Sequence, residues 1–442
     1  MNPKAAPETR ASAEIRAKHK EYLFPSVTNY YAEPIVLAEG HGLRVRDLDG
    51  TEYLDFFGGI LTVSVGHCNE SVNAAVKAQI DRLGHVSTLY PTLPIVELAE
   101  KLVSIAPGKL RRAYFTASGT EADETAVMMA QVYTGRTEVI ALRHGYSGRS
   151  MLAQSLAGQA SWRAVPTQIA GIKHAPSPYC YRCPLKLTYP KCGVACAQDL
   201  DELIRTTTTG QPAAFLAEPI QGVGGFVTPP KEYFQIAVEI VRKYGGVFIS
   251  DEVQTGFGRT GDKWWGCEQY GVEPDLMTMA KGIANGMPLS ATLATPAIAD
   301  SFTKLQISTF GGNPITATAG KATIDYIESH DLRRNAAVQG ARLREGLERL
   351  QKKHPRIIGD VRGMGLMQGV ELVKDETAGD RTPNPQAVNA LFEETKKRGL
   401  LIGKGGMLGN CLRISPPLTV SVAEVDEALQ KLGESLAAID AA

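Results

Sequence analysis

The chain has 442 residues, 43% of them hydrophobic and 21% charged, which is enough to bury a large core and to make two or three domains at roughly 150 residues each. Lysine plus arginine (47) balance aspartate plus glutamate (47), so the charge offers no footprint for nucleic acid or an anionic membrane. No apolar run approaches the roughly 20 residues that span a bilayer, no apolar signal region opens the chain, and the seven cysteines do not suggest a secreted disulfide framework; a cytoplasmic globular protein is expected.

Residues 1–24 read as a charged amphipathic lead-in helix. Residues 36–40 and 43–50 alternate in hydropathy around an Asp49-Gly50 turn, the pattern of a small antiparallel meander. Residues 53–60 lead out of it into a bend that Gly58 and Gly59 permit. Helical periodicity follows over 70–83 and 94–105. Short apolar runs then alternate with helices: a strand at 112–115, a helix from about 121, strands at 138–142 and 213–217, a helix over 232–244, and a strand that ends on Asp251. Alternation of this kind predicts a mostly parallel sheet with helices on both faces. Beyond Asn313-Pro314 the pattern changes to long amphipathic helices (316–328 and 331–354) and short strands (365–372 and 411–414). The organisation is a small domain split around a large one, with boundaries at 1–60, 61–315 and 316–442.

Polar clusters follow the strands of the large domain, at the edge where open α/β sheets place their ligands. Asp251 closes the apolar run Val247-Phe248-Ile249, and Lys281 sits among small and apolar residues, Met279-Ala280-Lys281-Gly282. An inward lysine loses solvation, its pKa falls, and its neutral amine becomes a nucleophile toward carbonyls. An aspartate and such a lysine are the two groups pyridoxal phosphate enzymes need most; a buried structural ion pair accounts for the same two residues. In Ser118-Gly119-Thr120-Glu121 two hydroxyls and a glycine open a helix whose N-terminus favours a dianion, although an ordinary N-cap reads alike. Tyr146 offers a face for a flat ring and Arg149 a fork for a carboxylate, or they are a turn tyrosine and a solvated arginine. Glu218, in Ala217-Glu218-Pro219, brings a further polar cluster to this edge. Arg413 lies between apolar neighbours and needs an anion, from the protein or from a ligand. Cys180, Cys183, Cys192 and Cys196 form CxxC, eight residues, CxxxC, which fits a zinc or iron–sulfur site or four reduced thiols in a surface excursion.

Taken together, Ser118-Gly119-Thr120-Glu121-Ala122, Glu218-Pro219-Ile220-Gln221-Gly222, Asp251-Glu252-Val253-Gln254-Thr255-Gly256 and Lys281 make the chain resemble the class III pyridoxal-phosphate aminotransferases, from about Tyr30 to the C-terminus. Residues 53–68 and 217–225 most resemble the alanine–glyoxylate branch. The resemblance implies an α/β protein of fold type I, with a mostly parallel seven-stranded sheet in the large domain and a smaller α+β domain. It implies pyridoxal 5'-phosphate as cofactor, with Lys281 as Schiff-base lysine and proton carrier and Asp251 as partner of the pyridine nitrogen. Gln254 would contact the ring hydroxyl, Tyr146 and Val253 would sandwich the ring, and Ser118, Gly119, Thr120 and Glu218 would complete the cofactor site. Thr309 would reach the phosphate of a neighbouring subunit, so a homodimer or homotetramer is implied. Arg413 would bind the substrate α-carboxylate. Two departures bear on substrate: Val223 stands where other branches carry a glutamate that neutralises this arginine, while Arg149 resembles the arginine that grips the far carboxylate of ω-amino acids. The implied reaction transfers an amino group from an alanine-like donor to glyoxylate or pyruvate; a 4-aminobutyrate, β-alanine or 5-aminovalerate donor is the alternative, as is a decarboxylase, racemase or aminomutase.

Overall fold

The computed structural model describes residues 10–165 and 168–440; the first nine residues of the expected lead-in helix lie outside them, and the rest of it forms the helix Arg10–Tyr22. The alternating run folds into an antiparallel meander of β1 (Leu37–His41), β2 (Arg44–Asp47) and β3 (Glu52–Asp55). Its turn is closed by Asp47, whose Oδ1 accepts from the backbone N–H groups of Asp49 (3.0 Å) and Thr51 (2.8 Å), with Gly50 at φ +86°. Asp55 then accepts from Phe57 N and Gly58 N, both at 2.9 Å, and residues 58–61 run left-handed, with φ between 56° and 63°. Glycine meets no steric penalty there; Ile60 and Leu61 do, and the strained turn leads into Thr62, which lines the main cavity.

Seven strands form the central sheet: β4 (Arg112–Thr116), β5 (Val139–Leu142), β6 (Ile172–Ala175), β7 (Ala214–Ala217), β8 (Val247–Asp251), β9 (Leu276–Met279) and β10 (Ser290–Ala294). Their order is β4-β10-β9-β8-β7-β5-β6; β10 runs antiparallel to both neighbours and every other pairing is parallel. Both faces are covered, as period-two alternation requires. Val139, Ala141, Leu216, Val247 and Ile249 pack with Ala126, Val127 and Ala130 of the helix Gly119–Thr134. Ile140, Leu142, Phe215 and Phe248 face the other way, onto the helices Ala195–Thr207 and Tyr233–Lys243. Three strands escape the sequence reading: β6 is short and carries Lys173 and His174, β9 was read only as the setting of Lys281, and β10 is a run of small residues.

The C-terminal part adds β11 (Ile358–Met364), β12 (Met367–Asp375), β13 (Asp380–Pro383), β14 (Leu400–Leu401), β15 (Gly403–Gly405) and β16 (Cys411–Ile414). The strand expected at 365–372 begins two residues late, because Gly365 (φ +51°) is the turn of the β11–β12 hairpin. β14 pairs in parallel with β3, so the opening meander and the C-terminal part share one sheet. Among the described residues no helix is long and apolar enough to cross a membrane.

Candidate active site

Loops at the carboxyl ends of β5, β7, β8 and β9 meet the start of the helix Gly119–Thr134 around a cavity of about 730 Å³. Ten of the twelve candidate residues line it: Ser118, Gly119, Thr120, Tyr146, Arg149, Glu218, Asp251, Val253, Gln254 and Lys281. Arg413 and Thr309 do not.

Asp251 ends β8 and is 2% exposed, its Oδ1 accepting from Val253 N at 3.0 Å. Burial pushes its pKa up, against the pull of the Val253 N–H and the Lys281 charge. The next residue does the opposite job. Glu252 turns into the core and accepts from Ser250 Oγ, Thr255 Oγ1, Gly266 N and Cys267 N, which leaves it fully satisfied and structural. Glu218 bridges two loops, accepting from Tyr146 N (3.0 Å) and Gly222 N (2.8 Å). Burial and the neighbouring Asp251 charge raise its pKa as well.

Lys281 follows β9 at the start of the short turn Lys281–Ala284, in the left-handed region at φ +46°. Strain of this kind at a reactive side chain costs of order 1 kcal/mol and persists because the surroundings fix it. Those surroundings are explicit. A Cβ on Gly282 would lie 2.6 Å from Ser64 Oγ, and Asn285 accepts from Val65 N and donates to Gly66 O, both at 2.9 Å. Burial lowers the Lys281 pKa and Arg413 acts in the same direction, while Asp251 and Glu218 oppose them. The result is an ammonium that sheds its proton more readily than an ordinary lysine.

At the helix end Ser118 donates to Glu121 Oε2 (2.8 Å), which also accepts from Ala117 N (3.1 Å), while Thr120 Oγ1 lies 2.9 Å from Ser150 Oγ. Gly148 (φ +127°) lets its loop close over Thr120, since a Cβ there would stand 2.5 Å from the Thr120 side chain. Gly222 serves Gln254 in the same way, with a virtual Cβ 2.3 Å from its amide. Gln254 is 6% exposed and its Oε1 has no partner among the described residues, an orphan acceptor beside the cavity.

Arg413 leaves β16 and is 4% exposed between two aromatic faces, its guanidinium carbon 4.9 Å from the Phe57 ring centre and 5.6 Å from that of Phe226. Nε donates to Lys404 O at 3.1 Å, Tyr30 is a side-chain partner, and Nη1 has none. No carboxylate forms an ion pair with it among the described residues. Arg149 is exposed, as is Thr309 outside the cavity. The sequence reading missed Asp123, which lines the cavity beside Asp251, and the aromatic clamp of Phe57 and Phe226. Asp123 carried a signal, since a carboxylate four residues after Gly119 falls on the sheet-facing side of its helix; the clamp carried none, because its members are remote in sequence.

The cysteine segment is the expected surface excursion: residues 184, 186–191 and 193 are exposed and its one element is the short turn Cys180–Arg182. It is anchored at both ends, by buried Tyr179, whose hydroxyl donates to Glu371, and by Cys196 in the helix Ala195–Thr207. Cys180, Cys183, Cys192 and Cys196 are free thiols lining one cavity of about 20 Å³. Burial pushes Cys180 up to about 11 and Cys196 up to about 12, with neighbouring thiols adding to both. Among the described residues no three His, Cys, Asp or Glu side chains form a metal-holding group.

Residues 27–436 match the model of the family described as aminotransferase class-III. The chain is 43% identical over 432 residues to the alanine–glyoxylate aminotransferase 2 homolog 2, mitochondrial, of Arabidopsis thaliana, covering 97% of this chain and 89% of the relative. It is 36% identical to the leucine/methionine racemase of Thermococcus litoralis, covering 95% and 94%. Among solved structures, a Bacillus anthracis aminotransferase superposes with a TM-score of 0.91 at 32% identity, over 98% of this chain and all of the other.

Proposed function

The chain belongs to the class-III aminotransferases, pyridoxal-phosphate enzymes that exchange an amino group between an amino acid and a 2-oxo acid, and we propose that its donor is a small α-amino acid such as alanine, with glyoxylate or pyruvate as acceptor. The observation that carries the donor is Arg413: a buried guanidinium with a free Nη1, held by two aromatic rings and by no carboxylate. Val223 contributes only backbone there, its carbonyl accepting from Gly406 N at 2.9 Å. A buried cation without an anion is costly unless a ligand supplies one, and a small α-carboxylate is the ligand whose size and charge suit it.

The residues fit the cofactor. The orphan Gln254 Oε1 suits a ring hydroxyl, the loop and helix N-terminus at Gly119 and Thr120 suit a phosphate, and Lys281 and Asp251 share the cavity with them. Bound there, pyridoxal phosphate supplies an aldehyde that takes up the amino group and a ring that accepts electrons. Lys281 would hold it covalently; once the substrate amine displaces it, its amine, whose affinity for a proton burial lowers, would take the proton from the substrate α-carbon and deliver it to the cofactor carbon on the far side of the amino nitrogen. Asp251 would keep a proton on the ring nitrogen. Arg413 would fix the substrate carboxylate and so the direction of its Cα–H bond, while Phe57 and Phe226 keep water from the guanidinium.

A second reading rests on Arg149, which lines the cavity with its side chain exposed and suits the far carboxylate of an ω-amino acid. A donor panel with fixed pyruvate or glyoxylate separates the two. A charge-assisted hydrogen bond is worth roughly 1.5–3 kcal/mol, so Arg413→Ala should cut alanine turnover about ten- to a hundredfold, and Arg149→Ala should leave it alone. A wild type that ignored alanine, used 4-aminobutyrate and lost that activity in Arg149→Ala would replace the first reading with the second. The active unit in this proposal is a two-fold dimer or a multiple of it. Support comes from exposed Thr309 lying among exposed Leu305, Ile307 and Phe310, an apolar stretch of the kind that marks interfaces. A fully active monomer in light scattering would remove Thr309 from the site.

A further inference from the structure

Behind Asp251 lies a second carboxyl group that the reaction as derived does not use. Asp123 projects from the helix Gly119–Thr134 toward β8 and β9 and is 1% exposed. Its Oδ1 accepts from Thr278 Oγ1 at 2.7 Å, Thr278 is the register partner of Asp251 across β9 and β8, and both carboxyls line the same cavity. Two ionised carboxylates are acceptors only, so neighbouring buried carboxyls bond to each other only by sharing a proton. At an effective dielectric of about 20, two like charges some 4 Å apart repel by about 4 kcal/mol, so a buried pair keeps one proton between them.

The donors decide where that proton rests. Asp251 has the Val253 N–H and the nearby Lys281 to stabilise a negative charge. Asp123 has, among the described residues, the Thr278 hydroxyl as its one donor, and it faces the charges of Asp251 and Glu218. Burial and those two charges all favour its neutral form. Of the cations, Lys281 acts on Asp251 and Glu218 more strongly than on Asp123, and Arg413 acts on Glu218.

We propose that Asp123 is a neutral carboxylic acid that donates its proton in a hydrogen bond to ionised Asp251, making it a positioning residue that fixes the orientation and tempers the basicity of the group that faces the cofactor ring. The inference rests on the reading of Asp251 as the ring-nitrogen partner. A rigid donor behind Asp251 leaves one carboxylate oxygen free to face the ligand, and it spreads the negative charge, so that Asp251 holds the ring proton without capturing it outright.

Infrared difference spectroscopy of the cofactor-free protein reads the proton directly. Read in a Glu218→Gln background, so that the other strongly raised carboxyl is silent, the otherwise wild-type protein at pH 7 should show a protonated-carboxyl C=O band that disappears on Asp123→Asn and persists on Asp251→Asn. Absence of the band in that background, or its loss on Asp251→Asn with retention on Asp123→Asn, overturns the inference. In the loaded enzyme Asp123→Ala should lower kcat about tenfold or more, and Asp123→Asn, whose amide still donates, should recover most of that loss. Equal losses in both variants would reduce Asp123 to a space-filling role. The activity–pH profile gives a third readout: replacing a neutral acid by an amide leaves its midpoint in place, whereas removal of a negative charge would shift it by about one unit or more. Borohydride trapping of the cofactor on Lys281 judges the parent reading separately. Labelled Lys281 without the carboxyl band sinks only the role of Asp123, and the band in the cofactor-free protein stands or falls whether or not Lys281 is labelled.

Discussion

Glu371 and Asp251 are both carboxylates with almost no exposed surface, yet their surroundings follow opposite rules. Glu371, on β12, accepts from Arg362 Nη1 at 2.7 Å, from Asn410 Nδ2 at 3.2 Å, from the Tyr179 hydroxyl and from Arg182 Nε. Burial alone would raise its pKa, but Arg362, Tyr179 and Arg182 together hold it below the ordinary glutamate range. Arg362 also donates to Gly225 O at 2.8 Å and lies 3.2 Å from Cys411 Sγ, so this network ties the cysteine segment, the 222–227 loop and the C-terminal sheet together. The cluster at Asp251 holds three carboxyls against one lysine, with Asp251, Asp123 and Glu218 all raised and Lys281 lowered. One cluster is saturated with partners. The other is left unbalanced beside a cavity, which is where a ligand that brings its own charges restores the balance.

The contrast breaks most visibly in kinetics. Asp251→Asn keeps the shape and removes the charge, and turnover with cofactor bound should fall by several orders of magnitude, the scale of losing a preorganised charge at the transition state. A loss smaller than about tenfold in steady-state kcat would mean that Asp251 is as structural as Glu371. The converse substitution should act on folding. Glu371→Gln leaves Arg182 without a carboxylate and Arg362 with Asp360 alone, at 2.7 Å, and should cost about 3 kcal/mol in denaturant unfolding. Turnover of the folded fraction should barely change. A collapse of turnover at unaltered stability would move Glu371 into the catalytic machinery.

What the sequence disclosed divides along the same line. Residues that follow a strand are placed by that strand, so Glu218 after β7, Asp251 on β8 and Lys281 after β9 were legible once the alternation of apolar runs and helices was seen. The partners that give those groups their character arrive from elsewhere. Asp123 comes from the helix after β4, and the clamp on Arg413 comes from Phe57, beyond β3, and Phe226, in the loop after β7. No local periodicity encodes such meetings. Strands β6 and β10 failed for a related reason, since an edge strand with Lys173 and His174 and a strand of small residues lack the β-branched signal. The network at Glu371 was invisible too, since Tyr179 and Arg182 lie 192 and 189 residues from it along the chain.

Protonation offers the finest test of the contrast, because the two clusters give stability slopes of opposite sign. In the cofactor-free protein the raised carboxyls, Asp251 pushed up to about 6 and Glu218 to about 8, hold protons in the folded state that an unfolded chain releases near the ordinary value of about 4. Between that value and about 8 the folded state therefore binds more protons, and stability should fall as pH rises, by at most about 1.4 kcal/mol per unit for each proton held. Glu371 acts the other way: its lowered pKa stabilises the fold above the ordinary glutamate value, and that contribution is lost as pH drops below it. Lys281, lowered by burial, adds an upward slope only from its own folded value toward the ordinary lysine value, on the alkaline side. Unfolding in denaturant at a series of pH values should thus give a maximum near pH 5, a decline toward about pH 8 and a separate acid loss. Glu218→Gln should flatten the decline and leave the acid loss, whereas Glu371→Gln should remove the acid loss and leave the decline. If stability of the cofactor-free protein rose from about pH 5 to about pH 8, or if Glu218→Gln left its slope untouched, the carboxyls at Asp251 would have to be paired as fully as Glu371 is, and the distinction between the two clusters would fail.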